Sequence, residues 1–176
     1  MVWFRHVDRR YPFLWETDDQ PPARWHGLGE GPVQYLASTP DGAWAEFLRR
    51  EEITDPADLA GIERALWAVE VDVAAEAVRE PTLSRRVLTG GLASYPRCRE
   101  EARRVRSEGA TALQAPSAAL VSGGARGQRV EGGLVEANDE DGRVLVLFGR
   151  RPKARGWACC LPGRPDVRLL PLVRPL

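Results

Sequence analysis

The chain has 176 residues, which is enough for one domain with a hydrophobic core and too few for two comfortable ones. Its hydrophobic content of 43% and charged content of 28% are those of a soluble globular protein, its formal net charge is zero, and no apolar run reaches membrane-spanning length. Residues 1–15 carry scattered charges that a secretory signal lacks, so we expect a cytoplasmic protein with no membrane partner.

The cysteines and histidines argue against a disulfide framework and against a metal site. Cys159 and Cys160 are adjacent, Cys98 is distant, and no CxxC spacing occurs, which favours reduced thiols. The two histidines, His6 and His26, lie at no ligand spacing from a cysteine or carboxylate cluster, so no metal is expected.

Basic residues concentrate towards the C-terminus. After Gly142 the sequence carries eight bases, and Asp166 is its only acid. Such a segment can attract phosphates, nucleic acid or an acidic protein. Aromatic residues are not interleaved in the manner that stacks bases, so we expect no direct binding of nucleic acid.

The first third of the chain predicts two strands joined by a long loop. Residues 2–7, "VWFRHV", are predicted to form the first strand, and residues 9–22 form a loop with aromatic anchors that a proline pair closes. Residues 32–37, "PVQYLA", alternate with a period of two and favour the β conformation, which predicts a second strand.

A helix is predicted to follow directly. Thr39 and Pro40 are typical of a helix N-cap followed by proline at the first helical position. The apolar spacing predicts a helix from Pro40 to about Glu51. Its buried residues would be Ala43, Trp44, Phe47 and Leu48.

The middle of the chain alternates short helices and strands. Residues 55–66 predict a short helix capped by Asp55, and the alternating residues 66–73 predict a strand. Residues 81–88 form a short helix or a loop. Residues 94–109 predict a helix with a polar face, because Gly109 provides a stop signal.

The last third predicts two strands, a loop and a tail. The strands are residues 111–116 and the segment "GRVLVLFGRRP", 142–152. Between them, the five glycines of residues 122–133 predict a mobile loop. The tail, 167–176, is interrupted by prolines and is predicted to be extended. Because no regular βαβ rhythm occurs, we expect a single α+β domain over residues 1–176.

The common nucleotide and hydrolase motifs are absent. "GLGEGP" is not GxGxxG, "SGGARGQR" lacks the GK[ST] of a P-loop, and neither GxSxG nor HExxH occurs. The chain therefore does not resemble a Rossmann dehydrogenase, a P-loop NTPase, an α/β-hydrolase or a zincin.

Arg24, Tyr35 and Glu46 stand at two equal steps of eleven residues, on the predicted loop, strand and helix. Glu46 borders the apolar helix face and leans over small residues, which leaves room for a ligand. The alternative is an ordinary salt bridge with Arg50, four residues on.

The other candidates also have plain alternatives. Tyr35 could stack on a planar ligand or could be a core tyrosine. Arg24 could grip a diphosphate with its guanidinium fork or could be a solvated loop arginine. Ser117, after the strand 111–116, could display a binding hydroxyl or could serve as a turn residue.

In order and spacing, four pieces of the sequence resemble the RES family, a family named for an Arg, a Glu and a Ser. They are "RW" followed by a glycine-rich turn, then "YLA" with the helix containing "AxE", then "APSAAL", and finally "VLVLF". The resemblance covers about residues 2–150 and leaves 151–176 as a basic C-terminal extension.

The resemblance implies an ADP-ribosyltransferase-like fold with small β-sheets around a central cleft and flanking helices. It implies an NAD-consuming toxin that cleaves the nicotinamide–ribose bond by hydrolysis or phosphorolysis, with NAD as substrate and no metal. Glu46 and Arg24 would be catalytic, and Arg24 would also hold the phosphates or ribose. Tyr35 would stack near the nicotinamide, and Ser117 would hydrogen-bond the nicotinamide side.

Two alternatives to this activity stay open. One is transfer of ADP-ribose to a protein, and the other is a non-catalytic module that binds NAD or another protein with the same fold. By the same resemblance, the partner of a toxin would be a small helix-turn-helix antitoxin of the Xre type. Whether the chain forms a homo-oligomer is left open.

Overall fold

The computed structural model describes residues 1–74 and 77–176, which contain short strands and three α-helices in mixed order. The strands are β1 Val2–Asp8, β2 Val33–Ala37, β3 Arg64–Glu70, β4 Val78–Arg79, β5 Ala112–Pro116, β6 Gln128–Val130, β7 Leu134–Glu136, β8 Arg143–Phe148 and β9 Arg155–Gly163. The α-helices are α1 Pro40–Arg50, α2 Arg85–Leu88 and α3 Tyr95–Ser107. This order confirms the predicted α+β class.

Seven of these strands form one sheet in the order β4-β5-β8-β2-β1-β3-β9, and β6 pairs with β7 as a separate hairpin. The neighbouring strands are antiparallel except β4 and β5. Short antiparallel strands that connect distant parts of the chain bring loops from several regions to the same edge of the sheet.

The sheet is divided between β1 and β2. Strand β1 pairs with β3 along its whole length, and β2 does the same with β8. Between β1 and β2, in contrast, the ladder of the described chain consists of the pair Phe4 and Ala37. The two halves therefore diverge beyond this pair and leave a cleft between them, although both belong to one large sheet and are not separate small sheets.

Helix α1 forms as the sequence predicts. Thr39 accepts a hydrogen bond of 3.0 Å from the backbone N–H of Gly42, and Pro40 occupies the first turn. The helix ends at Arg50, one residue before the predicted end. Its four predicted core residues, Ala43, Trp44, Phe47 and Leu48, are all buried.

Two predicted elements have a different form in the structure. The helix predicted at 55–66 is a short 3-10 helix, Pro56–Gly61. It cannot extend to residue 66, because β3 already begins at Arg64. Asp55 caps it as predicted, by accepting a hydrogen bond of 2.8 Å from Ala57 N. The loop predicted at 122–133 contains β6 and the turn of the β6–β7 hairpin. Gly132 and Gly133, with φ of 64° and 159°, make this turn.

The C-terminal segment is an integral part of the fold, which corrects its treatment as an extended tail. Strand β9 pairs with β3 and covers a sheet edge that would otherwise be open. Residues Val167–Leu172 form a 3-10 helix whose Leu169 is fully buried in the cluster beneath α1. Arg168 forms an ion pair of 3.1 Å with Asp41 of α1. The tail packs against the rest of the fold through apolar residues such as Leu169, and its prolines do not leave it extended.

Residues 1–74 and 77–176 include no helix with both the length and the apolar character needed to cross a lipid bilayer.

Candidate active site

A cavity of about 810 Å³ opens where the two halves of the sheet diverge. Arg24, Tyr35 and Glu46 all line it, although they come from a loop, a strand and a helix. Pro116 and Ala118, the neighbours of Ser117, line it as well. The structure therefore brings the four sequence-predicted residues to one place.

Ser117 hydrogen-bonds Glu46. Its Oγ lies 2.8 Å from Oε1 of Glu46 and accepts from the backbone N–H groups of Ala119 at 3.2 Å and Leu120 at 3.1 Å. Because these two N–H groups occupy the acceptor side of the oxygen, the hydroxyl proton is directed at the carboxylate. Ser117 is buried, and its own N–H donates to Gly142 O at 2.8 Å. Ser117 thus orients Glu46.

Glu46 does not form the salt bridge that its spacing to Arg50 allows. The guanidinium of Arg50 instead donates to Glu51, at 2.7 and 2.9 Å. Burial and the charge of Arg24 lower the pKa of Arg49, the cavity residue near Glu46. The negative charge of Glu46 raises that pKa. Glu46 therefore lies in a positive field without a direct ionic partner among the described residues.

Protein contacts fix the ring of Tyr35. Its hydroxyl oxygen accepts from Trp25 N at 3.0 Å and lies 2.9 Å from Nδ1 of His26. Nε2 of His26 is 2.9 Å from the carbonyl of Pro21, so Nε2 carries the ring proton and the tyrosine hydroxyl donates to Nδ1. Burial raises the pKa of Tyr35 and lowers that of His26. Both groups are therefore neutral, and the tyrosine presents its ring to the cavity.

Arg24 clamps one wall of the cavity. Arg24 is 7% exposed, and its guanidinium donates to Leu88 O at 3.2 Å, to Ser94 Oγ at 2.9 Å and to Gly90 O. It lies over the ring of Tyr95, with Cζ 4.7 Å from the centroid. Much of its donor capacity is thus used within the protein. Contact between Arg24 and a ligand stays a prediction.

Arginines and aromatic rings make up much of the remaining wall. The arginines are Arg5, Arg24, Arg49, Arg50 and Arg64, the rings include Phe4, Tyr11, Trp15, Trp25, Tyr35 and Tyr95, and the side-chain carboxylates are Asp8 and Glu46. The cavity is therefore positively charged and rich in flat apolar surface. These are the properties that an anionic ligand with planar rings requires.

Sequence reasoning missed most of this positive charge, although a signal for Arg5 was present. Residues two apart in a strand point to the same side, so Arg5 shares its side with Trp3 and Val7, both of which are buried. A charged residue on the buried side of a strand indicates a functional position. Arg64 had no comparable signal, because it reaches the cavity through the pairing of β3 with β1.

The titratable residues of the described ranges 1–74 and 77–176 include no group of three or more His, Cys, Asp or Glu that could hold a metal ion. Cys98 is buried, and neither Cys159 nor Cys160 is bonded to another cysteine.

A solved structure has the same fold. A chain from the crystal structure of the M.tuberculosis MbcT-MbcA toxin-antitoxin complex is 12% identical in sequence to this chain, with a TM-score of 0.61. The similarity covers 97% of this chain and 86% of that one. A comparison with curated proteins finds no match.

The family comparison covers most of the chain. The RES domain model matches residues 3–158, from β1 into β9. This range includes all four predicted site residues and every residue of the cavity lining except Leu176. The chain belongs to the RES domain family.

Proposed function

We propose that this protein cleaves the bond between nicotinamide and ribose in NAD, and that it acts as the toxin of a toxin–antitoxin system. The observation that carries the proposal is Glu46, which Ser117 orients within a positively charged cavity lined by aromatic rings. NAD combines a diphosphate with two planar rings, an adenine and a cationic nicotinamide. Each of these parts has a chemical counterpart in the wall.

The reaction needs few groups. The C1′–N bond breaks with its electron pair leaving on nicotinamide, which departs as a neutral molecule. The ribose carbon then carries oxocarbenium-like positive charge until an acceptor adds. A carboxylate beside that carbon stabilises the charge, as in glycoside hydrolysis, and the effect is stronger in a cavity with little water.

Each of the four predicted residues has a distinct role in the proposal. Glu46 stabilises the cationic ribose or orients the acceptor. Ser117 holds Glu46 in place, so its contribution is positioning. Tyr35 offers its ring to the nicotinamide, since its hydroxyl is occupied by Trp25 and His26. Arg24 supports the wall formed by residues 87–94 and adds positive charge to the cavity.

The acceptor distinguishes three versions of the reaction. Addition of water gives ADP-ribose, addition of phosphate gives ADP-ribose 1″-phosphate, and addition of a protein side chain gives an ADP-ribosylated protein. All three release nicotinamide, so release tests the shared step. Label on the adenylate part of NAD then shows where the ADP-ribose goes.

The direct test is incubation of the purified protein with NAD, with and without phosphate, followed by chromatography of nicotinamide. The expected result is nicotinamide release proportional to enzyme concentration. NAD that binds in calorimetry and is returned intact would instead support a non-catalytic binding module. Failure to release nicotinamide in both buffers, with any bound antitoxin removed, overturns the proposed cleavage.

A toxin requires a neutralising partner, and the fold neighbour is a chain of a toxin–antitoxin complex. We propose a small antitoxin of the Xre helix-turn-helix type, encoded beside this chain. Expression of this chain alone should arrest growth and deplete cellular NAD, and co-expression of the neighbouring small protein should restore both. Growth arrest without NAD loss would contradict this assignment.

A further inference from the structure

We propose that Arg174 is a positioning residue for the cleavage, because it fixes the backbone of residues 117–120, the Ser117 turn, and so keeps Ser117 against Glu46. The effect on activity rests on the proposed function, whereas the bracing of the turn rests on contacts alone. Arg174 lies beyond residue 158, outside the range that the RES domain model matches. It does not line the cavity, so its effect on a ligand passes through other residues.

The C-terminal segment runs antiparallel to the end of the Ser117 turn. The backbone N–H of Val121 donates to Leu172 O at 2.9 Å, and the backbone N–H of Arg174 donates to Ala119 O at 2.7 Å. These two hydrogen bonds form a short bridge of the kind that joins antiparallel strands. They fix the backbone at Arg174, the point from which its side chain extends to the turn.

The guanidinium of Arg174 binds carbonyl groups of the Ser117 turn. Its Nη1 donates to Ser117 O at 3.2 Å and to Leu120 O. Because Ala119 O accepts from the backbone of Arg174, three carbonyl groups of the turn are bound to this one residue. The N–H groups of Ala119 and Leu120 donate instead to Ser117 Oγ. Arg174 and the serine hydroxyl thus satisfy complementary polar groups of the same turn.

The same segment is also attached to the helix that carries Glu46. Nε of Arg49, three residues after Glu46 on α1, donates to Pro175 O at 3.1 Å. Apolar residues of the segment pack against the buried cluster that includes Ala45, the residue before Glu46. Because the segment contacts both α1 and the Ser117 turn, it supports both partners of the 2.8 Å hydrogen bond between Ser117 and Glu46.

Arg174 also brings positive charge near Glu46. Burial lowers the pKa of Arg174, the charge of Arg85 lowers it further, and the charges of Asp141 and Glu46 act in the opposite direction. Asp141 forms an ion pair of 3.0 Å with Arg85, so it already has a cationic partner. Arg174 therefore adds to the positive field around Glu46 from outside the cavity lining.

The first experiment separates positioning from general stabilisation of the fold. Arg174→Met keeps an unbranched side chain and removes the charge and the donors. We expect it to lower kcat for nicotinamide release about tenfold, with KM for NAD within about twofold of the wild type. Arg174→Lys keeps the charge and a donor, so it should recover part of the loss.

Arg168→Met is the matched control from the same segment. Arg168 pairs with Asp41 of α1 at 3.1 Å and lies outside the cavity lining, so its loss should leave kcat within about twofold of the wild type. A loss of kcat in Arg168→Met equal to that in Arg174→Met would mean that the segment only stabilises the fold, and would overturn the inference.

A double-mutant cycle tests whether Arg174 acts through Ser117. In the Ser117→Ala protein, the further change Arg174→Met should lower kcat by less than about twofold, because the hydroxyl that Arg174 positions is already gone. Losses that multiply in full would mean that Arg174 affects catalysis independently of Ser117, which contradicts the proposed role.

A measurement without turnover separates this inference from the proposed function. Hydrogen exchange at the amides of Ala119 and Leu120 should be about tenfold faster in Arg174→Met than in the wild type, and unchanged in Arg168→Met. Arg174→Lys should exchange at an intermediate rate and gives the same readout if Arg174→Met does not fold. A protein that releases no nicotinamide can still show this change, so the two failures are distinguishable. Exchange at the wild-type rate in folded Arg174 variants would overturn the inference.

Discussion

Ser117 and Glu46 are 71 residues apart in the sequence, and a hydrogen bond of 2.8 Å joins their side chains at the cavity wall. The serine follows β5, and the glutamate lies in the middle of α1. The oxygen of the serine also accepts two buried backbone N–H groups, which leaves its proton for the carboxylate. The orientation of Glu46 is therefore set by a strand end from the other half of the sheet.

Removing this hydroxyl should affect catalysis more than substrate binding. We expect Ser117→Ala to lower kcat about tenfold to a hundredfold with little change in KM, because Glu46 loses its orientation. The free energy of unfolding should fall by about 1–3 kcal/mol, because the N–H groups of Ala119 and Leu120 lose their acceptor. Steady-state kinetics and urea unfolding test both values. Ser107→Ala, which removes an exposed hydroxyl bonded to Arg104 O, is the control.

Arg24 should prove to be important for local structure. Arg24→Lys keeps the charge but loses the planar fork that reaches Leu88 O, Gly90 O and Ser94 Oγ together. We expect a loss of about 2–4 kcal/mol in the free energy of unfolding, with faster amide exchange in residues 87–94. The exposed Arg103→Lys, paired with Glu30, should show neither effect. Unchanged exchange in Arg24→Lys would contradict the clamp.

The stability of the protein should decrease below neutral pH because of its two histidines. Burial lowers the pKa of both His6 and His26 in the folded state. Below about pH 6.5 the unfolded chain binds protons at these positions and the folded chain does not, so the free energy of unfolding falls as the pH falls. Each histidine contributes up to about 1.4 kcal/mol per pH unit.

The window from about pH 5 to 6.5 isolates this effect, because carboxylates titrate at lower pH. His6→Asn keeps an acceptor for Arg64 and removes the titration, so it should reduce the slope of stability against pH by about half. Chemical unfolding at several pH values measures the slope. A slope identical to that of the wild type would show that His6 is not the group responsible.

The C-terminal segment should contribute strongly to stability. Leu169 is fully buried in the cluster beneath α1, whereas Leu161 of β9 is 55% exposed. We expect Leu169→Ala to lower the free energy of unfolding by about 2–5 kcal/mol and Leu161→Ala by less than about 1 kcal/mol. Urea unfolding tests this pair. Equal effects would mean that the tail does not pack as the structure shows.

The local parts of the fold were predictable from local chemistry. Thr39 and Pro40 mark the start of α1, and the spacing of Trp44, Phe47 and Leu48 marks its buried face. Strand β2 was predictable from its period of two. The resemblance to the RES family placed Glu46 and Ser117 in one site, and the structure adds that they bond to each other.

The remaining features depend on contacts between distant segments. Strand β9 was missed because buried and exposed residues do not alternate regularly along it. It is a strand because it pairs with β3. The place of Arg64 in the cavity wall was missed for the same reason. Arg64 meets His6 through strand register, and that register cannot be deduced from either segment alone.

The most direct test of the account is nicotinamide release by wild type and Glu46→Gln at equal concentration. The amide oxygen of glutamine can still accept from Ser117, so the fold and melting temperature should be preserved while the stabilising charge is lost. We predict at least about a hundredfold slower release from the variant. Release at the wild-type rate by a folded Glu46→Gln protein would contradict the central claim.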